Sequence, residues 1–186
     1  NYSAQRAMSM AEDLYTAGYI TYPRTDNTVY PEDLDPEELL SAFVEHRTFG
    51  EDAEALLDVD GEIEPTAGDN ETTDHPPIHP TDELPSAGDL SEDEWEIYEL
   101  VVRRFFATVA DDATWEHLKV VATVAGTTNA ETSAADELQL KANGKRLVEA
   151  GYHAVYPYYN QQETHVPDVL EGESLEITET RIEDKQ

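Results

Sequence analysis

The chain has 186 residues, no cysteine, and 42 Asp+Glu against 11 Lys+Arg, which gives a formal net charge of −31. That length is enough for one core or two small ones, and the lack of cysteine excludes both a disulfide framework and a thiolate metal site. No apolar run approaches the roughly 18–20 residues of a membrane span, and "NYSAQRAMSM" lacks the charged-then-apolar order of a secretory leader, so a soluble, cytoplasmic protein is expected.

Apolar side chains at Ala4, Ala7, Met8, Ala11, Leu14 and Tyr15 recur at helical spacing, which predicts a helix over residues 3–17 with Ser3 as N-cap and Gly18 as its stop. The next stretch, "GYITYPRTDNTVYP", is not helical: Pro23 confines Tyr22 to extended conformations. Residues two apart then project to the same side, which sets Arg24 beside Tyr22. "LDPEELLSAFVEHRTFG" predicts a second helix, with Asp35 as N-cap, Pro36 at the first position and a stop near Gly50, and a shorter helix is expected over residues 52–57. Residues 58–73 are acidic and rich in turn formers, as an exposed loop would be. "SEDEWEIYELVVRRFFATVA" opens on a capping box, Ser91 with Glu94, and carries Trp95, Tyr98, Val102, Phe105 and Val109 along one side.

After residue 112 the pattern alternates. "TWEHLKVVATVAG", "DELQLKAN", "GKRLVEAG", "YHAVYPYY" and "ESLEITETRIED" each suit a strand, and Asn143-Gly144 suits a two-residue hairpin turn. The expected organisation is therefore α+β, with a helical domain over residues 1–111 followed by a β-rich segment over residues 112–186. The chain begins without methionine directly before a helix cap and ends on a charged strand pattern, which reads as a piece of a longer protein.

The acidic residues are spread over every segment and lysine is scarce, as expected of a surface adapted to molar salt. At about 1 M salt the Debye length falls to about 3 Å, so self-repulsion is screened. Disorder is opposed by the amphipathic runs. An acidic interaction module or DNA mimic is an alternative that would leave Tyr22 without a chemical role.

Two stretches can carry chemistry. Tyr22 beside Arg24 suits attack on a phosphodiester: a guanidinium binds phosphate through parallel hydrogen bonds and stabilises the charge that develops in the transition state. The same residues also suit a core-packed aromatic beside a surface arginine. In "DHPPIHPT", His75 and His79 are four apart, but Pro76, Pro77 and Pro80 exclude the helix that would make them a metal pair. A proline-locked loop offering histidine to a phosphate, or an ordinary surface turn, remains.

Taken in order, "GYITYPRTDN", "HPPIHPT", "EIYELVVRRFFA" and "LKANGKRLVEAGYHAVYPYY" resemble the type IA DNA topoisomerases, in their archaeal topoisomerase I and topoisomerase III branch. The resemblance implies that Tyr22 is the nucleophile that forms a 5′-phosphotyrosine with one DNA strand and that Arg24 holds the scissile phosphate. It implies that His75 contacts the backbone nearby, with Thr21 and His79 as further phosphate contacts and Asp26 in a less defined role. The sequence departs from the pattern at His79, where bacterial members usually carry Arg, and at Asp74, where a small neutral residue is common. It further implies a winged-helix-like gate domain bearing the tyrosine, a β-rich arch segment, and Mg²⁺ held by a toprim domain that this chain lacks, so that no metal is expected here. Single-stranded or negatively supercoiled DNA and other domains of the same polypeptide are the implied partners, in the nucleoid and away from membrane.

Overall fold

In the computed structural model, residues 2–59, 61–124, 138–159 and 162–179 are described. Among them the elements in chain order are α1 (Ala4–Thr16), α2 (Pro36–Phe43), α3 (Gly50–Leu57), α4 (Glu92–Val109), β1 (Thr114–Val124), β2 (Leu138–Glu149) and a 3-10 turn, η1 (Gly151–Ala154). The fold is α+β, and its two strands pair antiparallel. The chain divides into two compact units, Asn1–Thr114 with Glu149–Gln161, and Trp115–Val148 with Gln162–Gln186.

The first unit is built on α4. Its capping box is formed, with Ser91 Oγ accepting from Glu94 N and the Glu94 carboxylate accepting from Ser91 N at 2.8 Å. Tyr98, Val102, Phe105 and Phe106, at helical spacing, are its buried positions. Phe43 of α2 and Phe49 pack edge-on to Phe106, at 5.5 and 6.2 Å between ring centroids. Leu14 from α1 and Ile20 complete the same core. Each fully buried aromatic or leucine contributes about 1.5–3 kcal/mol of hydrophobic stabilisation.

Arg103 leaves α4 on the side of α3. It bonds Asp52 at 3.0 Å, Glu99 at 2.7 Å and the Val155 carbonyl at 3.2 Å, and lies 5.6 Å from the centre of the Phe49 ring. One side chain thereby ties α3, α4 and the η1 segment together.

The second helix is shorter than expected, and Gly50 opens α3 rather than closing α2. α2 ends at Phe43 and the chain turns sharply through His46, whose carbonyl accepts from Gly50 N at 2.8 Å. A Cβ on Gly50 would lie 2.3 Å from the Val44 carbonyl oxygen. The glycine is required by a close backbone approach, and its sequence signal is the same as that of a helix stop.

Three β expectations change. Asn143-Gly144 is not a turn: β2 runs through it without interruption, so "DELQLKAN" and "GKRLVEAG" supply one strand where described. Gly144 is there because a Cβ would stand 3.2 Å from Val166, on the segment that pairs with β2 through the Lys145–Thr164 bridge. "YHAVYPYY" forms η1 and irregular chain instead of a strand. Gly151, at φ +48, lies against the carbonyls of Asp111 and Asp112, Tyr152 N donates to Asp111 O, and Val155 is buried in the core. Residues 173–179 are irregular chain rather than a strand. The remainder of that run, like residues 125–126 and 136–137, lies outside the described residues.

Candidate active site

The site begins at the end of α1. Gly18 takes φ +89, its N–H donates to Tyr15 O at 2.9 Å, and Tyr19 N donates to Leu14 O at 3.0 Å. This pair of bonds is the Schellman arrangement that closes a helix on a left-handed glycine. It reverses the chain so that residues 19–24 run back past the helix they have just left. The Tyr22 ring meets the Tyr15 ring edge-on, 5.2 Å between centroids.

The returning segment is sewn to the proline-histidine loop. Thr81 N donates to Tyr19 O and Thr21 N donates to His79 O, both at 3.0 Å, on either side of an antiparallel Ile20–Pro80 bridge. Pro80 sits at the non-hydrogen-bonded position of that pair, where its missing N–H costs nothing. Thr21 Oγ1 donates to Pro77 O at 2.9 Å and accepts from His79 N at 3.0 Å, and Thr81 Oγ1 donates to Gly18 O at 2.6 Å. Further along, Asn27 Nδ2 donates to the carbonyls of Thr72 (2.9 Å) and His75 (3.0 Å), and Asn70 Nδ2 donates to Asp26 O at 2.5 Å.

These bonds bring together two motifs some fifty residues apart in the chain. Tyr22, Arg24, Thr25, Asp26, Thr72, Asp74 and His75 line one open cleft of about 460 Å³. The His75 ring lies tilted against that of Tyr22 at 4.6 Å. Tyr22 is half-buried, while Arg24, Asp26 and His75 are exposed. Arg24 Nε donates to Glu12 Oε1 at 2.5 Å, and this hydrogen bond holds the guanidinium more firmly protonated than usual. Arg24 is the one Lys or Arg lining the cleft, facing a surround that includes Asp26 and Asp74.

The remaining expected site residues lie elsewhere. His79 is 8% exposed, between Tyr30 and Phe105, with its ring Nδ1 2.7 Å from Pro80 O; burial pushes its pKa below the usual histidine value. The hydroxyl of Thr21 is engaged in holding the two motifs together. Among the described residues no group of three or more His, Asp or Glu could hold a metal ion. Sequence reasoning counted Tyr15 among the apolar residues that set the helical spacing of α1, whereas it is exposed and meets Tyr22, and it passed over Glu12, three residues before it, and Asn27, whose amide anchors the His75 backbone.

The DNA topoisomerase family model matches residues 1–186. DNA topoisomerase 1 of Archaeoglobus fulgidus is 44% identical over 184 residues, which is 99% of this chain and 26% of that protein. DNA topoisomerase 1 of Methanothermobacter thermautotrophicus is 31% identical over 100% of this chain and 24% of its own length, and DNA topoisomerase 3-beta of Arabidopsis thaliana 32% identical over 97% and 19%. The chain thus spans about a quarter or less of the length of these curated relatives. With a family match over all 186 residues and relatives on both the topoisomerase 1 and topoisomerase 3 sides, the chain belongs to the type IA DNA topoisomerases.

Proposed function

We propose that this chain is the tyrosine-bearing part of an enzyme that breaks and reseals one DNA strand, passing another through the gap and so relaxing negative supercoils. The observation that carries the reading is the single cleft in which Tyr22, Arg24 and His75 meet. In the reaction, Tyr22 Oη gives up its proton and attacks the scissile phosphorus. The bond from phosphorus to the 3′ oxygen breaks, that oxygen leaves as a hydroxyl after taking up a proton, and the 5′-phosphoryl end stays on the tyrosine. The reverse attack by the 3′ hydroxyl restores the strand without an external energy source, because one phosphodiester has replaced another.

Arg24 binds the non-bridging oxygens and offsets their growing charge, and His75, on a loop stiffened by Pro76 and Pro77, contacts the adjacent backbone. Thr21 and His79 act one step back. With the Thr21 hydroxyl donating to Pro77 O and accepting from His79 N and the His79 ring in the core, they fix the loop that carries His75 rather than meet phosphate themselves. Residues 1–111 form the winged-helix-like gate domain and residues 112–186 belong to the β-rich arch, except that the stretch around η1 returns to pack in the helical unit. In the intact enzyme Mg²⁺ would be held by a toprim domain.

Trapping of end-labelled single strands by a full-length protein carrying this chain tests the reading. Label should become protein-linked only on the 5′-phosphoryl fragment, and Tyr22→Phe should abolish the adduct while leaving the melting temperature within a few degrees. A covalent adduct formed by the Tyr22→Phe protein would require another nucleophile.

A further inference from the structure

Glu12 and Tyr15 lie one helical turn apart on α1 and address the two residues of the cleft in register, Tyr15 meeting the Tyr22 ring and Glu12 the Arg24 guanidinium. The Schellman turn makes this possible, because it folds an extended segment with a two-residue repeat back along a helix whose neighbours on one face are three apart. The pair is open to solvent, Arg24 at 59% and Glu12 at 38% side-chain exposure. Such a pair adds little to folding stability, so its consequence has to be sought in what it does to the arginine.

We propose that Glu12 is a positioning residue for Arg24. This rests on the reading that Arg24 grips the scissile phosphate. A free arginine side chain spreads over many rotamers, and gripping a phosphate requires it to settle into one. Glu12 binds the Nε–H, which fixes the plane of the guanidinium. The side-on mode of phosphate binding, which uses Nε, is then closed, and the two terminal nitrogens are left to take a phosphate end-on. The carboxylate attenuates the positive charge but holds it in place before DNA arrives.

Two measurements test this. In the 186-residue chain, the Arg24 Nε–H proton resonance, identified by its absence in Arg24→Lys, should exchange slowly with water in the wild type and in Glu12→Gln, which keeps an acceptor. In Glu12→Ala it should exchange fast. In a full-length protein carrying the chain, single-turnover cleavage at saturating single strand should slow about 3- to 5-fold in Glu12→Ala, the range an exposed ion pair can enforce. Glu12→Gln should recover most of that loss, the melting temperature should not move, and Glu12→Ala should add nothing in an Arg24→Ala background. A Glu12→Ala protein that cleaves at the wild-type rate or faster, while Arg24→Ala is slow, overturns the positioning role and leaves the function of Arg24 standing. A loss that persists in the Arg24→Ala background, or an Nε–H that stays protected in Glu12→Ala, overturns it equally. Wild-type cleavage by Arg24→Ala would instead sink the underlying reading and the inference with it.

Discussion

His79 shows how a residue type that suggests chemistry can be claimed by packing. A buried imidazole beside Phe105 resists protonation, and its pKa is pushed down chiefly by desolvation, with the Pro80 carbonyl opposing. The folded state therefore binds fewer protons than the unfolded chain once the pH falls below the ordinary histidine value of 6.5. The stability this residue supports is complete above that value and is lost as the pH falls toward the depressed folded pKa. His46, lowered by burial as well, has the same sign. Urea midpoints at pH 7.5 and pH 5.5 should accordingly show a loss in the wild type. The loss should shrink, without vanishing, in His79→Asn, whose amide can still donate to Pro80 O. An equal loss in the two proteins would mean that His79 titrates as it would in water.

At the scale of elements, the Schellman closure of α1 positions both Tyr22 and the register of α1 against it. Gly18 takes φ +89, a region that costs a side-chain-bearing residue about 1–2 kcal/mol. A Cβ there meets nothing within 4 Å, so the cost of Gly18→Ala is purely conformational. The substitution should lower the melting temperature by several degrees, taking about 2–4 °C per kcal/mol for a chain of this size. Gly18→Asn, which tolerates the left-handed region, should lower it less. Equal effects of the two would place the cost in packing. This stop was readable, since a glycine followed the last periodic residue, whereas Gly50 answers to the tight turn back onto Val44 and Gly144 to a close approach by Val166, a residue distant in sequence.

For the molecule as a whole, charge is the governing quantity. A net charge of −31 repels itself, and screening should stabilise the folded state. Thermal midpoints should rise steadily from 0.1 to 3 M KCl, and a midpoint that stays level would remove the case for adaptation to molar salt. The same chain, spanning about a quarter of the Archaeoglobus relative and holding no metal cluster among its described residues, should neither relax supercoiled plasmid nor cleave single strands by itself with Mg²⁺ present. It should also bind DNA weakly, since 11 Lys+Arg give little counterion release. Mg²⁺-dependent relaxation by the purified chain would show that the residues needed for cleavage are all present in it.

What the sequence determined by itself was local. Helix caps at Ser3, Asp35 and Ser91, the stop at Gly18 and the non-helical conformation at Tyr22 all follow from side chains within a few residues of where they act, and the motif order carried the family. Only the tertiary structure decided which polar groups face the cleft. His75 and His79 are equivalent in sequence, four apart between prolines. One is exposed against Tyr22 and the other is buried against Phe105, because the Ile20–Pro80 pairing sets which side of the loop turns inward. Glu12 came to Arg24 the same way. A hydrogen bond between a helix and the strand that returns along it depends on the angle of the turn between them, and no pattern of residue types encodes that angle.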